Sequence, residues 1–394
     1  MMVASTTDAA LDPARIRAAE FPRLADSIYL NAAATGPIPE RAHHALSLAQ
    51  EKRRAIQELT DEGLTQSLIR ARAAAARLVG GEADEIALGW NASYGINLAA
   101  LSLPVEPGTT VVVSDREFPA NVYPWMGRRD TELELVPTAA SGRPDEDRLL
   151  ERLDRGDVSV FALSSVQFAT GYRADLAKLG HFCRERGIFF VVDAIQSLGQ
   201  LPMDVRAMGI DVLATGGHKW LCSPFGTGFA YVRRELIERM EPRWIGWTGM
   251  QACSSLESLV DYDWTFRRDA RRFEGGTLPF DGFAGMAESV GLLLEVGVER
   301  IERHLLALLD PLIAWLRETP EAEILSDLDP ERRSAIFCFR VPRAEAVFQA
   351  LRREGVTCAL REGAIRLAPH LYNSRAEIER VVEILDERRA ERWS

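Results

Sequence analysis

The stretch from Gly187 to Lys219 sets the tightest limits on what this chain can become. Ile188-Phe189-Phe190-Val191-Val192 is a short run of β-branched and aromatic residues, the pattern of a strand buried on both faces. It ends in Asp193. A carboxylate there stands at the carboxyl edge of a parallel sheet, where open α/β folds bind their ligands. Asp211-Val212-Leu213-Ala214 reads as a second short strand, which delivers Lys219 to the same edge. Further strands are expected at Ile86–Gly89, Val111–Val113, 133–137, Val158–Ser164 and 229–232, with helical patterns between them. Such alternation means an α/β fold with a doubly wound, mostly parallel sheet.

The lysine is singled out by rarity. The chain holds three lysines, Lys52, Lys178 and Lys219, against forty-four arginines, so its basic surface is arginine. A lysine in the turn Gly216-Gly217-His218-Lys219-Trp220 is therefore no ordinary surface charge. An amine can form an imine with an aldehyde; a guanidinium stays protonated and cannot. A lysine and an acid on one sheet edge suit pyridoxal phosphate, with Lys219 carrying the aldehyde and Asp193 keeping the ring nitrogen protonated. A strand, a turn of small polar residues (Trp90 to Gly95) and a helix start make an anion site of backbone N–H groups and the helix dipole.

Six motifs now stand in order along the chain: YLNAAATGP (29–37), EFPANVYPW (117–125), VVDAIQSLG (191–199), GGHKW (216–220), RRFEGGT (271–277) and IRLAPHLYN (365–373). Together they resemble the class V aminotransferase group of fold-type I pyridoxal-phosphate enzymes, which includes cysteine desulfurases, selenocysteine lyases, kynureninases and isopenicillin N epimerase-like proteins. The resemblance implies a large cofactor-binding domain, residues 13–282, and a small α+β domain, 283–394, with the N-terminal segment 1–25 packed on the latter. It gives Ala92 and Ser93 the cofactor phosphate, and Phe118 a stacking role on the ring. His218 joins the phosphate contacts; Gln167 and Gln196 lie near the ring oxygen. Thr277 reaches the phosphate of a neighbouring subunit, and Trp247 is a second cross-subunit contact, which implies a homodimer. Arg366 suits bidentate capture of an α-carboxylate, and its spacing to Tyr372-Asn373 within the motif selects it. Asn31 and Ala33 join it as substrate-side residues. Two departures are visible: Gly216 replaces a serine or threonine, and Gln167 stands where asparagine is frequent.

Other classes are disfavoured. A net charge of −11 argues against nucleic acid or an anionic membrane as partner. No apolar run approaches the roughly 20 residues needed to span a bilayer, and the N-terminus lacks a signal-peptide pattern. The five cysteines have no metal-ligand spacing, no metal site is expected, and the cytoplasm is the expected compartment. His43 and His44, without partners at ligand spacing, read as structural. Cys358, eight residues before Arg366 in a strand-like stretch, reads as a buried small hydrophobe, not a sulfur acceptor. A cysteine desulfurase-like C–S lyase is the leading expectation, ahead of amino transfer to a keto acid and of epimerisation. A non-catalytic cofactor-binding protein is disfavoured by Lys219, Asp193 and Arg366 together.

Overall fold

The structure, a computed structural model, describes residues 10–254, 259–260 and 262–393. The first nine residues of the N-terminal segment lie outside them. Asp12 caps the first helix, Pro13–Glu20, by accepting from the Arg15 amide at 3.0 Å, with proline in the first turn. A two-residue strand β1 (Ile28–Tyr29) follows.

The central sheet has seven strands: β2 (Ile86–Gly89), β3 (Thr110–Ser114), β4 (Glu132–Val136), β5 (Val158–Ser164), β6 (Phe189–Asp193), β7 (Val212–Gly216) and β8 (Gly228–Val232). Their order is β2-β8-β7-β6-β5-β3-β4, and β8 alone runs against the others. Strands β3, β5, β6 and β7 are parallel and lie between neighbours, so both faces need apolar cover. Alternation divides them: Val191, Val212 and Ala214 pack on one side, Phe190, Val192 and Leu213 on the other. Asp193 follows Val191 by two and pairs with Ala214, so it points to the first side. The helix Ala92–Ser102 covers that side. Its Gly95 allows the close approach, because a Cβ there would stand 2.6 Å from Ala214 Cβ.

The chain from 280 onward gives three helices, Phe280–Val296, Val298–Leu308 and Asp310–Arg317, where sequence periodicity predicts two. Gly297, at φ 89°, and Pro311 make the breaks. The boundary expected at 282/283 falls in the first turn of the helix Phe280–Val296, which packs on the helices Glu40–Arg54 and Asp61–Val79. A second sheet follows, with order β12-β13-β10-β9, built from β9 (Glu323–Ile324), β10 (Phe337–Arg340), β12 (Ala359–Arg361) and β13 (Ala364–Leu367). The intervening β11 (Val356–Thr357) pairs in parallel with β1. The helix Arg375–Ala390 closes the chain, and Arg17 forms a 2.7 Å ion pair with its Glu377. No helix among the described residues is long and apolar enough to cross a membrane.

The turn Asn31–Gly36 is seated directly on the lysine turn. Gly36 N–H donates to the His218 carbonyl at 2.8 Å, and a Cβ on Gly36 would stand 2.1 Å from the Lys219 carbonyl oxygen. Gly36→Ala must therefore push the two turns apart, a cost of roughly 1–3 kcal/mol. Thermal denaturation of the variant should show a lower midpoint than wild type; an unchanged midpoint would contradict this packing.

Candidate active site

Five segments far apart in sequence converge at the carboxyl edge of the central sheet. β6 ends in Asp193, β7 leads into Lys219, β5 ends at Ser164, and β3 leads through Asp115 to Glu117 and Phe118. β2 leads into the helix start at Ala92 and Ser93. The lysine turn is fixed by its backbone: Gly217 N–H donates to the Thr227 carbonyl at 2.7 Å, and Cys222 N–H to the Lys219 carbonyl at 3.0 Å.

Asp193 is 2% exposed. Its Oδ1 accepts from the Ile195 amide at 3.0 Å, and no donor among the described residues reaches Oδ2. Burial pushes its carboxyl up to about 6; the Ile195 amide opposes this, the Glu117 charge adds to it, and Lys219 pulls it back. Lys219 moves the other way. Burial lowers its amine to about 8 against the pull of Asp193, and the charges of Arg366 and Arg361 push in the same direction as burial. Its Nζ lies 5.6 Å from the centroid of the half-exposed Phe118 ring and makes no hydrogen bond or ion pair among the described residues. An amine so poised is readily deprotonated near neutral pH.

Arg366, on β13, is 2% exposed and donates from Nη1 to the Phe168 carbonyl at 2.9 Å. Its Nε is buried without a partner, and no carboxylate among the described residues pairs with it. A buried guanidinium left without a counter-charge is costly unless an anion completes it. Asn31 presents a similar deficit, a buried Oδ1 with no hydrogen bond. Residue 31 also bridges to Ala368, so the first turn and the Arg366 strand are joined.

The remaining candidates are placed as follows. Gln167 donates to Glu117. Gln196 has both ends of its amide engaged: Nε2 donates to the Ala33 carbonyl at 3.1 Å, and Oε1 accepts from Trp220 Nε1 at 2.8 Å. It thereby ties the Asn31–Gly36 turn to the lysine turn. The His218 ring stacks on Phe225 at 5.3 Å, and burial lowers its pKa, with the Lys219 charge adding to the effect. Gly216 faces that ring: a Cβ there would be 3.3 Å from it. The N–H groups of Ala92 and Ser93 open their helix and have no partner within it. Asn91 caps the same helix, accepting from the Tyr94 amide at 3.0 Å. Trp247 and Thr277 are exposed on the outer surface; Thr277 borders a groove with Lys52 and Thr60. Neither is joined to Lys219, Asp193 or Arg366 by a hydrogen bond or ring contact.

Sequence reading passed over Glu117. It is buried and accepts from the Ser164 amide at 2.9 Å, the Ser164 hydroxyl, Gln167 Nε2 and Asn121 Nδ2 at 3.2 Å. Burial raises its carboxyl, while these donors hold it down. Its only local signal was an acid just past a strand end, followed four residues on by Asn121.

These groups fit pyridoxal phosphate. The aldehyde needs an amine that is unbonded and readily deprotonated, as Lys219 is. The ring nitrogen needs an acid with a free oxygen, as Asp193 has. The phosphate needs unpaired N–H groups, as Ala92 and Ser93 supply. Among the described residues no cluster of His, Cys, Asp or Glu could hold a metal.

Comparison with known proteins agrees. The family model for aminotransferase class V matches residues 28–381. A probable cysteine desulfurase of Aeropyrum pernix is 31% identical over 299 residues, 72% of this chain and 71% of that protein. An uncharacterized aminotransferase of Bacillus subtilis is 29% identical over 79% of this chain and 81% of its own length. The apo structure of cysteine desulfurase from Thermococcus onnurineus superposes with a TM-score of 0.85 at 25% identity, covering 95% of this chain and 97% of that one.

The Asp193 carboxyl gives a pH test with a defined sign. Its pKa in the folded apoprotein is raised from 3.8 to about 6. The folded state therefore holds a proton that the unfolded chain has released, and stability falls as pH rises from about 4 through 6. Asp193→Asn removes this loss, worth up to about 3 kcal/mol. The apoprotein variant should melt above wild type at pH 7, with the gap narrowing toward pH 5. A gap that does not change with pH would contradict the assignment.

Proposed function

The chain belongs to the class-V aminotransferase family, and we propose that this pyridoxal-phosphate-dependent enzyme is a C–S lyase of the cysteine-desulfurase kind, acting on L-cysteine or a related sulfur amino acid. The observation that carries the reading is that Asp193 and Lys219, at the carboxyl edge of the central sheet, stand near Arg366 of the second sheet, each buried or half-buried and none paired with an opposite charge among the described residues. Pyridoxal phosphate, when bound, supplies a conjugated ring that stabilises negative charge on the substrate α-carbon. Asp193 holds a proton at the ring nitrogen. Lys219, once free of the cofactor, takes the α-proton and hands it to the departing sulfur, which leaves as sulfide with the C–S electron pair, while hydrolysis of the remainder yields pyruvate and ammonia. Arg366 fixes the α-carboxylate with its fork, and Asn31 and Ala33 border the same side. Phe118 covers the ring, while Ala92, Ser93 and His218 serve the phosphate. Gln167 acts near the ring oxygen through Glu117, and Gln196 holds the Ala33 turn in place.

The sulfur is proposed to leave without passing to a protein thiol. Cys358 is buried between β11 and β12, and burial pushes its thiol up to about 12. Cys222 and Cys338 are likewise buried. Amino transfer to a keto acid uses the same residues and is the second reading, favoured by the B. subtilis relative. Epimerisation stands third; an isopenicillin N epimerase of Streptomyces clavuligerus is 26% identical over 91% of this chain.

The working unit is proposed to be a homodimer in which Trp247 and Thr277 complete the neighbouring site. Exposed Trp244, Tyr262 and Trp264 near that surface support it, since apolar side chains so clustered ordinarily meet a partner. Residues 13–282 are assigned to a cofactor-binding domain and 283–394 to a small domain, with segment 1–25 against the latter. Five free cysteines fit a reducing cytoplasm.

Assays of the holoenzyme with L-cysteine should release sulfide and pyruvate without an added keto acid. Amino transfer that requires a keto acid, with no sulfide, would favour the second reading. Arg366→Ala should raise KM by about 100-fold, as expected when one partner of a buried charge contact is removed. Cys358→Ser should keep activity within about twofold of wild type; a collapse would contradict direct sulfur release.

A further inference from the structure

Glu117 is a buried carboxylate with no cation of its own. It forms no ion pair among the described residues, and neutral donors occupy both of its oxygens. Oε1 accepts from the Ser164 amide at 2.9 Å and from Gln167 Nε2; Oε2 accepts from Asn121 Nδ2 at 3.2 Å and from the Ser164 hydroxyl. Amide N–H groups only donate, so three of these four contacts favour the charged form. They come from the end of β5, the loop after it and the turn Pro119–Asn121, which together fix the carboxylate in place. A buried charge left without a counter-charge is costly.

Its place in the fold says where that counter-charge belongs. Ser164 pairs with Asp193 in the register of β5 on β6, so Glu117, seated on the Ser164 amide, stands one strand from the acid. Its chain neighbour Phe118 carries the ring that lies 5.6 Å from Lys219 Nζ. Glu117 also borders a cleft of about 650 Å³ with Gln167 and Phe168.

The other charges around this edge are accounted for. Asp115 accepts from the Thr138 amide at 2.8 Å, and Arg340, on the cleft wall, is paired with Glu323 at 2.8 Å. Lys219 feels Asp193, Arg366 and Arg361, and adjoins His218, whose pKa is lowered. Asp193 feels Lys219 and the negative charge of Glu117, which adds to the effect of burial.

We propose that Glu117 is a positioning residue of the reaction: a fixed negative charge that keeps the proton on the bound cofactor, both at the ring nitrogen facing Asp193 and at the nitrogen shared with Lys219. This rests on the assignment of Lys219 and Asp193 to pyridoxal phosphate. The role differs from that of Asp193, which meets the ring nitrogen directly. Glu117 acts across one strand, through its field and through the ordering of Ser164 and Gln167.

Spectrophotometric pH titration of the holoenzyme tests this without turnover. The visible band of the lysine-linked cofactor gives way to a near-ultraviolet band as the shared nitrogen loses its proton. Removing a nearby negative charge lowers proton affinity, so in Glu117→Gln the midpoint should fall by at least about one unit. Glu117→Asp keeps the charge and should stay within about 0.3 unit of wild type. Where Glu117→Gln does not load cofactor, Glu117→Ala serves in its place: formate should raise its lowered midpoint toward wild type, and formamide, of the same shape without the charge, should not. An unmoved midpoint in Glu117→Gln, an equal fall in Glu117→Asp, or equal rescue by formate and formamide would overturn the proposal. If the band still disappears in Lys219→Ala, the cofactor assignment stands and only the role of Glu117 fails. If the band survives in Lys219→Ala, the cofactor assignment fails and the proposal with it.

Discussion

Asp193 and Lys219 hold opposite charges at the ends of adjacent strands, in apolar surroundings, without neutralising each other in an ion pair. The rest of the molecule is arranged around that expensive condition. Burial drives the acid up to about 6 and the amine down to about 8, so both stand where small changes in surroundings alter protonation. A protein gains nothing in stability from such a pair. Its presence on a ligand-binding sheet edge is chemical in purpose, and the fold supplies the rigidity it needs. Gly95 lets the helix Ala92–Ser102 settle on Ala214, and Gly36 lets the first turn settle on the lysine carbonyl.

The second constraint is that the site is assembled from both sheets. Arg366 belongs to the small sheet, yet its Nη1 is bonded to Phe168, just past β5. The seam between the sheets is close and polar. Arg173 N–H donates to the Arg332 carbonyl at 2.8 Å, and the Ser334 hydroxyl to the Gly171 carbonyl at 2.8 Å. Gly171, at φ 73°, could carry no side chain, since a Cβ there would stand 1.9 Å from the Ile336 carbonyl oxygen. At the opposite end β1 pairs with β11, and Arg17 reaches Glu377, so the start of the chain fastens its last helix.

What could be read from sequence was whatever is written locally. The strand ending in Asp193 announces itself by five apolar residues, and Lys219 by its rarity. The cap at Asp12 and the helix start after Asn91 follow from neighbouring residues alone. What could not be read depends on which distant groups meet. Glu117 draws its donors from residues 121, 164 and 167. Gln196 spends its amide on Ala33 and Trp220, which only the packing of two turns brings together. The run after residue 280 divides into three helices because Gly297 and Pro311 outweigh an apolar periodicity that continues through them.

The central claim is that one amine of three carries the cofactor. Borohydride reduction of the holoenzyme, followed by proteolysis and mass spectrometry of the peptides, reads this directly. The account predicts the pyridoxyl group on the peptide containing Lys219 and none on those containing Lys52 or Lys178. A label on either of the other two lysines, or no label on a protein saturated with pyridoxal phosphate, would contradict it.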